Sequence, residues 1–155
     1  MALNRTIVNA TPERVFEILL DPYAYGDWVP GAKRVRGVDS HWPRSGSAFH
    51  HTQGLQLGRV RDHTEVVHAS PPRSIALLAH ARPFGVAAVT VGVRPAPGER
   101  SRLAIREEPA PGSGAWWIKR LADPAMFVRN IVSLRRLKKL AESDRTFGSG
   151  APPAP

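Results

Sequence analysis

The side chains best suited to chemistry in this sequence are one imidazole and two carboxylates: His51, Asp62 and Glu107. An imidazole beside a carboxylate can take and return a proton, which is what a general base or acid needs. Each also has a plainer reading. Asp62 and Glu107 could sit in structural ion pairs with Arg36 or Arg106, and His51 could be an ordinary structural or solvent-facing histidine. Other reaction classes lack their residues. Cysteine is absent, which removes thiol nucleophiles, thiolate metal sites and disulfides. There is no GxSxG elbow, no GxGxxG and no Walker loop. The chain has six histidines, but His50 and His51 are neighbours on a strand and point apart, His63 and His68 differ by an odd step, and neither HxH nor HExxH occurs. No metal and no cofactor is therefore expected.

These three side chains work together only if strands aim them at one space. Between residues 32 and 108 the chain reads as strands over 34–39, 47–53, 59–69, 74–82, 86–94 and 102–108, separated by Pro- and Gly-containing turns. Such short connections pair neighbouring strands antiparallel. Alternation then sorts the faces. Phe49 carries His51 inward; Asp62 and Thr64 share a face with Val60 and Val66. Leu77 and Ala79 follow with Ile75, then Val89 and Val91, then Ile105 and Glu107. A single β-bulge would flip every residue beyond it. The small residues Ala79, Ala81, Ala87 and Ala88 leave room in front of the sheet.

The ends of the chain supply the cover. A short strand over 3–9 precedes Thr11-Pro12-Glu13, where Thr11 can cap a helix, Pro12 fits its first turn and Glu13 suits the positive end of its dipole. Asp21-Pro22 ends that helix, a second short one follows to Asp27, and Trp28 is placed near one end of the interior. A long helix is expected over 124–142, with Asp123 as cap and Pro124 at its first position; Phe127, Ile131 and Leu134 lie on its apolar face and Arg129 off it. Trp116 and Trp117 precede it, as a lid over the pocket mouth or, as the alternative, a contact with a membrane surface beside Lys119 and Arg120. The expected organisation is one domain over 1–143, of α+β class, with about seven strands in a curved antiparallel sheet around the long helix. Residues 144–155, rich in Gly, Pro and Ala, read as a disordered tail.

The net charge of +9 raises the question of an anionic partner. The basic residues are scattered, and the one dense group, Arg135, Arg136, Lys138 and Lys139, falls where cations complement a helix C-terminus. Nucleic acid is not expected as a partner, a peripheral membrane contact stays open, and the oligomeric state is not legible. No signal-peptide pattern opens the chain, and no apolar run approaches the roughly 20 residues of a membrane span, so a soluble cytoplasmic protein is the expectation.

The sequence resembles the SRPBCC (START-related) superfamily, in particular its bacterial polyketide cyclase/dehydrase and lipid-transport branch. The resemblance runs through Ala10-Thr11-Pro12-Glu13-Arg14-Val15-Phe16, Leu20-Asp21-Pro22-Tyr23 leading to Trp28, Arg82-Pro83-Phe84-Gly85, Arg106-Glu107-Glu108-Pro109, and Ser133-Leu134-Arg135-Arg136-Leu137. It implies a helix-grip fold with a hydrophobic ligand cavity between sheet and C-terminal helix. It also implies either a carrier for a lipid, polyketide or aromatic molecule, or a cyclase/dehydratase using acid–base residues of the sheet. A shared fold does not choose between them.

Overall fold

A computed structural model describes residues 2–55, 58–81, 85–110 and 119–147; of 53–55, 58–60, 81 and 119–123 only the backbone is described. Its elements run β1 (Ala2–Val8), α1 (Pro12–Leu19), a 3-10 turn (Pro22–Ala24), α2 (Tyr25–Trp28), β2 (Ala32–Val38), β3 (Ala48–Leu55), β4 (Gly58–Ser70), β5 (Ser74–Ala81), β6 (Gly85–Ala96), β7 (Arg100–Pro109) and α3 (Lys119–Ala141). All seven strands form one antiparallel sheet in the order β1-β7-β6-β5-β4-β3-β2. The first strand thus closes against the last, and every other strand pairs with its neighbour in the chain. With three helices on this sheet, the α+β helix-grip class read from the sequence is the fold observed.

Local chemistry places the two short helices. The Thr11 hydroxyl accepts from the Arg14 amide at 3.3 Å, and Pro12 occupies the first turn of α1. The Asp21 carboxylate accepts from the Tyr23 amide at 2.9 Å, starting the turn that leads into α2. At Gly26 a Cβ would stand 2.9 Å from the Lys33 carbonyl oxygen. Only glycine lets α2 lie this close to β2, and that approach fixes Tyr25 and Trp28 over the sheet.

The core joins Val15, Phe16, Ile18 and Leu19 of α1 to Phe49, Val66, Ile75, Val91, Val93, Leu103 and Ile105 of the sheet and to Leu134, Leu137 and Ala141 of α3. Each such side chain contributes about 1.5–3 kcal/mol on burial. The closest backbone approaches of α3 are to β1, β7, α1 and α2. The end of α3 is tied down by polar contacts: Glu142 accepts from the Asn9 amide at 2.8 Å, and Lys138 donates to the Ile7 carbonyl at 2.9 Å. Arg14 reaches the carbonyl of Ser143 at 2.9 Å and that of Arg145, while Arg145 pairs with Asp27 at 2.7 Å. The Phe147 ring lies 5.1 Å from each of those two guanidiniums. Arg145 and Phe147 of the expected tail are therefore engaged with α1 and α2.

The start of α3 differs from expectation. The helix begins at Lys119, so Pro124 lies inside it and Asp123 is not its cap. Proline lacks an N–H and forfeits one bond to the preceding turn, a loss confined here to a single backbone bond near the helix start. Ala88 alternates with Ala87 and Val89 and takes the outer face of β6. The expected turn at Pro83 and Phe84, the lid residues Trp116 and Trp117, and the tail beyond Phe147 lie outside the described residues.

Candidate functional site

The strand registers bring the candidate residues together. His51 of β3 stands directly across from Asp62 of β4, and Phe49 across from Thr64. Thr64 in turn faces Ala79 of β5, Leu77 faces Val89 of β6, Val89 faces Glu107 of β7, and Val91 faces Ile105. Phe49, His51, Asp62, Thr64, Leu77, Ala79, Val91, Ile105 and Glu107 are all buried, while Val89 is half-buried. A register shift in β4 does occur, but only between Val66 and His68, beyond the residues that matter. Parity therefore carries through the site.

Within this apolar wall lies a polar cluster. The His51 Nε2 is 3.1 Å from the Thr64 hydroxyl, and Thr64 also shares a hydrogen bond with the Tyr25 side chain from α2. The Tyr25 ring sits 5.3 Å from that of His51, 4.7 Å from Phe49 and 5.4 Å from Trp28. At the sheet edge Arg36 donates to the backbone carbonyls of His51 and Asp62 at 3.4 and 3.5 Å. On the other side of the interior the Glu107 carboxylate is clasped by Arg129 of α3, one oxygen bonded and the other free of any partner among the described residues. His51 Nδ1 and Trp28 Nε1 are likewise buried with no partner there, as are one amide atom each of Asn4 and Asn130. A buried polar atom left unpaired costs about 1–3 kcal/mol.

Burial governs the electrostatics. It lowers the His51 pKa to about 4, the nearby Asp62 carboxylate opposing the shift and Arg36 adding to it. Burial likewise pushes the Tyr25 phenol above its ordinary value. At neutral pH the site thus presents a neutral imidazole and a neutral phenol. Only about one His51 in a thousand carries a proton at pH 7.

Several expectations need correction. Glu107 pairs with Arg129, not with Arg36 or Arg106; Arg106 points outward and contacts Glu108 at 3.4 Å. Arg129 was expected off the buried face, yet a long guanidinium stem on the flank of α3 reaches under the helix to the carboxylate. Phe127 was expected in the lining and is instead 46% exposed. The buried stripe of α3 runs through Asn130, Ser133, Leu134, Leu137 and Ala141, and Phe127 stands on its flank. Ile131 is half-buried on the same flank, while Leu134 and Trp28 are buried as expected. Tyr25 was missed as a site residue. Its signal was present, because Tyr25 and Trp28 are three apart and must share one face of a helix.

Two of the hollows on the described surface lie away from the cluster. One is lined by Glu13, Phe16, Glu17, Leu20, Pro71, Pro72 and Phe147, the other by Tyr23, Gly26, Asp27 and the start of β2. No described helix is long and apolar enough to cross a membrane.

The family model described as polyketide cyclase / dehydrase and lipid transport matches residues 3–142. No curated protein matches the sequence. Among solved structures, protein CV1439 from Chromobacterium violaceum is similar with a TM-score of 0.66 at 22% identity, over 93% of this chain and all of that one. The Zhui aromatase/cyclase from Streptomyces sp. R1128 is similar at 0.68 and 16% identity, over 91% of this chain and 92% of that one. The di-domain ARO/CYC StfQ from the steffimycin biosynthetic pathway gives 0.69 at 14% identity, over 90% of this chain and 49% of that one. At these identities the structural likeness speaks for the fold.

Proposed function

The chain belongs to the polyketide cyclase / dehydrase and lipid transport family, and we propose that it binds a hydrophobic small molecule, of lipid, polyketide or aromatic type, between the sheet and α3. The observation that carries this reading is the set of buried polar atoms on His51, Glu107 and Trp28 that have no partner among the described residues, within a largely apolar wall. Apolar surface supplies affinity, and a few fixed polar groups orient the ligand. Leu77, Ala79, Val89, Val91, Ile105, Ile131 and Leu134 would face its body. Thr64, Tyr25 and the His51–Asp62 pair would meet a hydroxyl or carbonyl at one end, and the Glu107–Arg129 pair a polar group further along. No cofactor is needed for binding of this kind. The test is native mass spectrometry of the chain purified from its own host. A co-purifying apolar molecule that is released by organic solvent is the expected result; a chain that is consistently empty, and that takes up no lipid or polyaromatic compound when offered one, refutes it.

A second reading is a cyclase or dehydratase, favoured by the placement of His51 directly across from Asp62 and by the aromatase/cyclase activity named for two structural neighbours. The His51 pKa decides between roles. A neutral imidazole has its lone pair free, but with a conjugate acid near pKa 4 it is a weak base, and that acid is too scarce at neutral pH to serve as the resting general acid. In this reading His51 would act as base and Tyr25 as the buried proton donor. Loss of ring closure in His51→Ala with retained ligand binding is the result expected for an enzyme. Turnover unchanged in that variant removes His51 from the mechanism.

A further inference from the structure

The outer face of the sheet carries a second cluster, independent of the buried one. His63 and Glu65 are two apart on β4, so both point outward between the inward residues Asp62, Thr64 and Val66. Thr64 pairs with Ala79, so one step along the same register His63 stands across from His80 of β5. The two imidazoles stack with ring centres 3.9 Å apart and planes 22° from parallel. On the other side His63 pairs with His50 of β3, whose ring lies 5.9 Å away. His63, Glu65 and His80 each offer one ligand atom, and these atoms all lie within 4.8 Å of one another. All three residues are half-buried, which limits their rotamers while leaving the site open to solvent.

We propose that His63, Glu65 and His80 form a binding site for one divalent transition-metal ion of the zinc type, on the face of the sheet opposite α3. Two imidazoles and a carboxylate are a normal zinc donor set, and an open fourth position falls to water or to His50. Donors bound at about 2.0–2.2 Å from an ion stand roughly 3.3 Å apart, so the present spacing closes by rotation of side chains already in contact. An ion would clamp β4 to β5 and relieve the crowding of the three imidazoles. Spacing along the sequence could not reveal this set, because its members meet across strands.

The test uses the untagged full chain, titrated calorimetrically with Zn2+ at pH 7.5, with the thermal midpoint followed in parallel. One equivalent should bind and raise the midpoint. His63→Ala and His80→Gln should each weaken binding at least about tenfold, since even loss of an outer-shell partner costs about that much. Glu65→Gln should weaken it less, and His68→Ala, an exposed change outside the cluster, should leave it unchanged. Midpoints of the variants without metal should match the parent, which separates lost ligation from lost folding; if His63→Ala fails to fold, His80→Gln alone decides. A chain that binds no Zn2+, or whose affinity survives His80→Gln, overturns the proposal.

Discussion

Acidification should destabilise this protein through His51 specifically. The imidazole is buried on the inner face of β3, next to the edge strand, and burial holds its folded pKa near 4 against about 6.5 in the unfolded chain. The folded state therefore refuses a proton that the unfolded state accepts. Stability from this group is complete above about pH 6.5 and is lost as pH falls toward 4. Between pH 7.5 and 5.0 the difference in proton uptake integrates to about 2 kcal/mol. With a urea slope of about 2 kcal/mol/M, that moves the unfolding midpoint by about 1 M. The assay is urea unfolding of the parent and of His51→Gln at both pH values. Gln keeps a hydrogen bond to Thr64 and cannot titrate, and every other group, His63 included, is common to the two proteins. The parent should lose about 2 kcal/mol more than the variant on acidification. Equal losses would show that His51 accepts a proton in the folded state, and with it the neutral imidazole assigned to the site would fall.

Arg129→Met should destabilise the fold by about 2–4 kcal/mol in chemical denaturation, since it leaves the Glu107 carboxylate buried and unpaired. Adding Glu107→Gln should recover much of that loss, and additive effects of the two changes would mean that the pair is not coupled. Tyr25→Phe removes the hydroxyl bonded to Thr64 and should cost about 1 kcal/mol with the fold intact; a neutral result would detach Tyr25 from the cluster. Leu137→Ala opens a hole at a fully buried position beneath α3 and should cost about 2–5 kcal/mol, whereas Phe127→Ala, at an exposed position, should cost well under 1 kcal/mol.

The sheet was legible because alternation is a local property that survives folding. Once Phe49 was set inward, His51 had to follow, and Asp62, Thr64 and Glu107 were placed by the same rule. The rule held because the one shift in β4 falls after Val66. What escaped was contact across elements. The choice of Arg129 over Arg36 or Arg106 for Glu107 depends on how α3 lies against β7, which helical periodicity does not specify. The start of α3 was misplaced because Pro124 is a good first-turn residue and nothing local says that a turn precedes it. Phe127 was misread for a related reason: a broad apolar face does not declare its centre, and here the centre is marked by the polar Asn130 and Ser133. The His63–His80 pair was invisible for the reason that strand register is a pairing between segments.

The proposed apolar ligand lies between the sheet and α3 with its polar end at the buried cluster. Methyl-labelled NMR of the full chain, titrated with the molecule recovered from its host, tests this most directly. The account predicts shifts concentrated at Leu77, Val89, Val91, Ile105 and Leu134, with the Tyr25 and His51 rings following. Shifts confined to Leu20 and its neighbours would place the ligand in the surface groove beside Phe16 and Phe147 and would contradict the account.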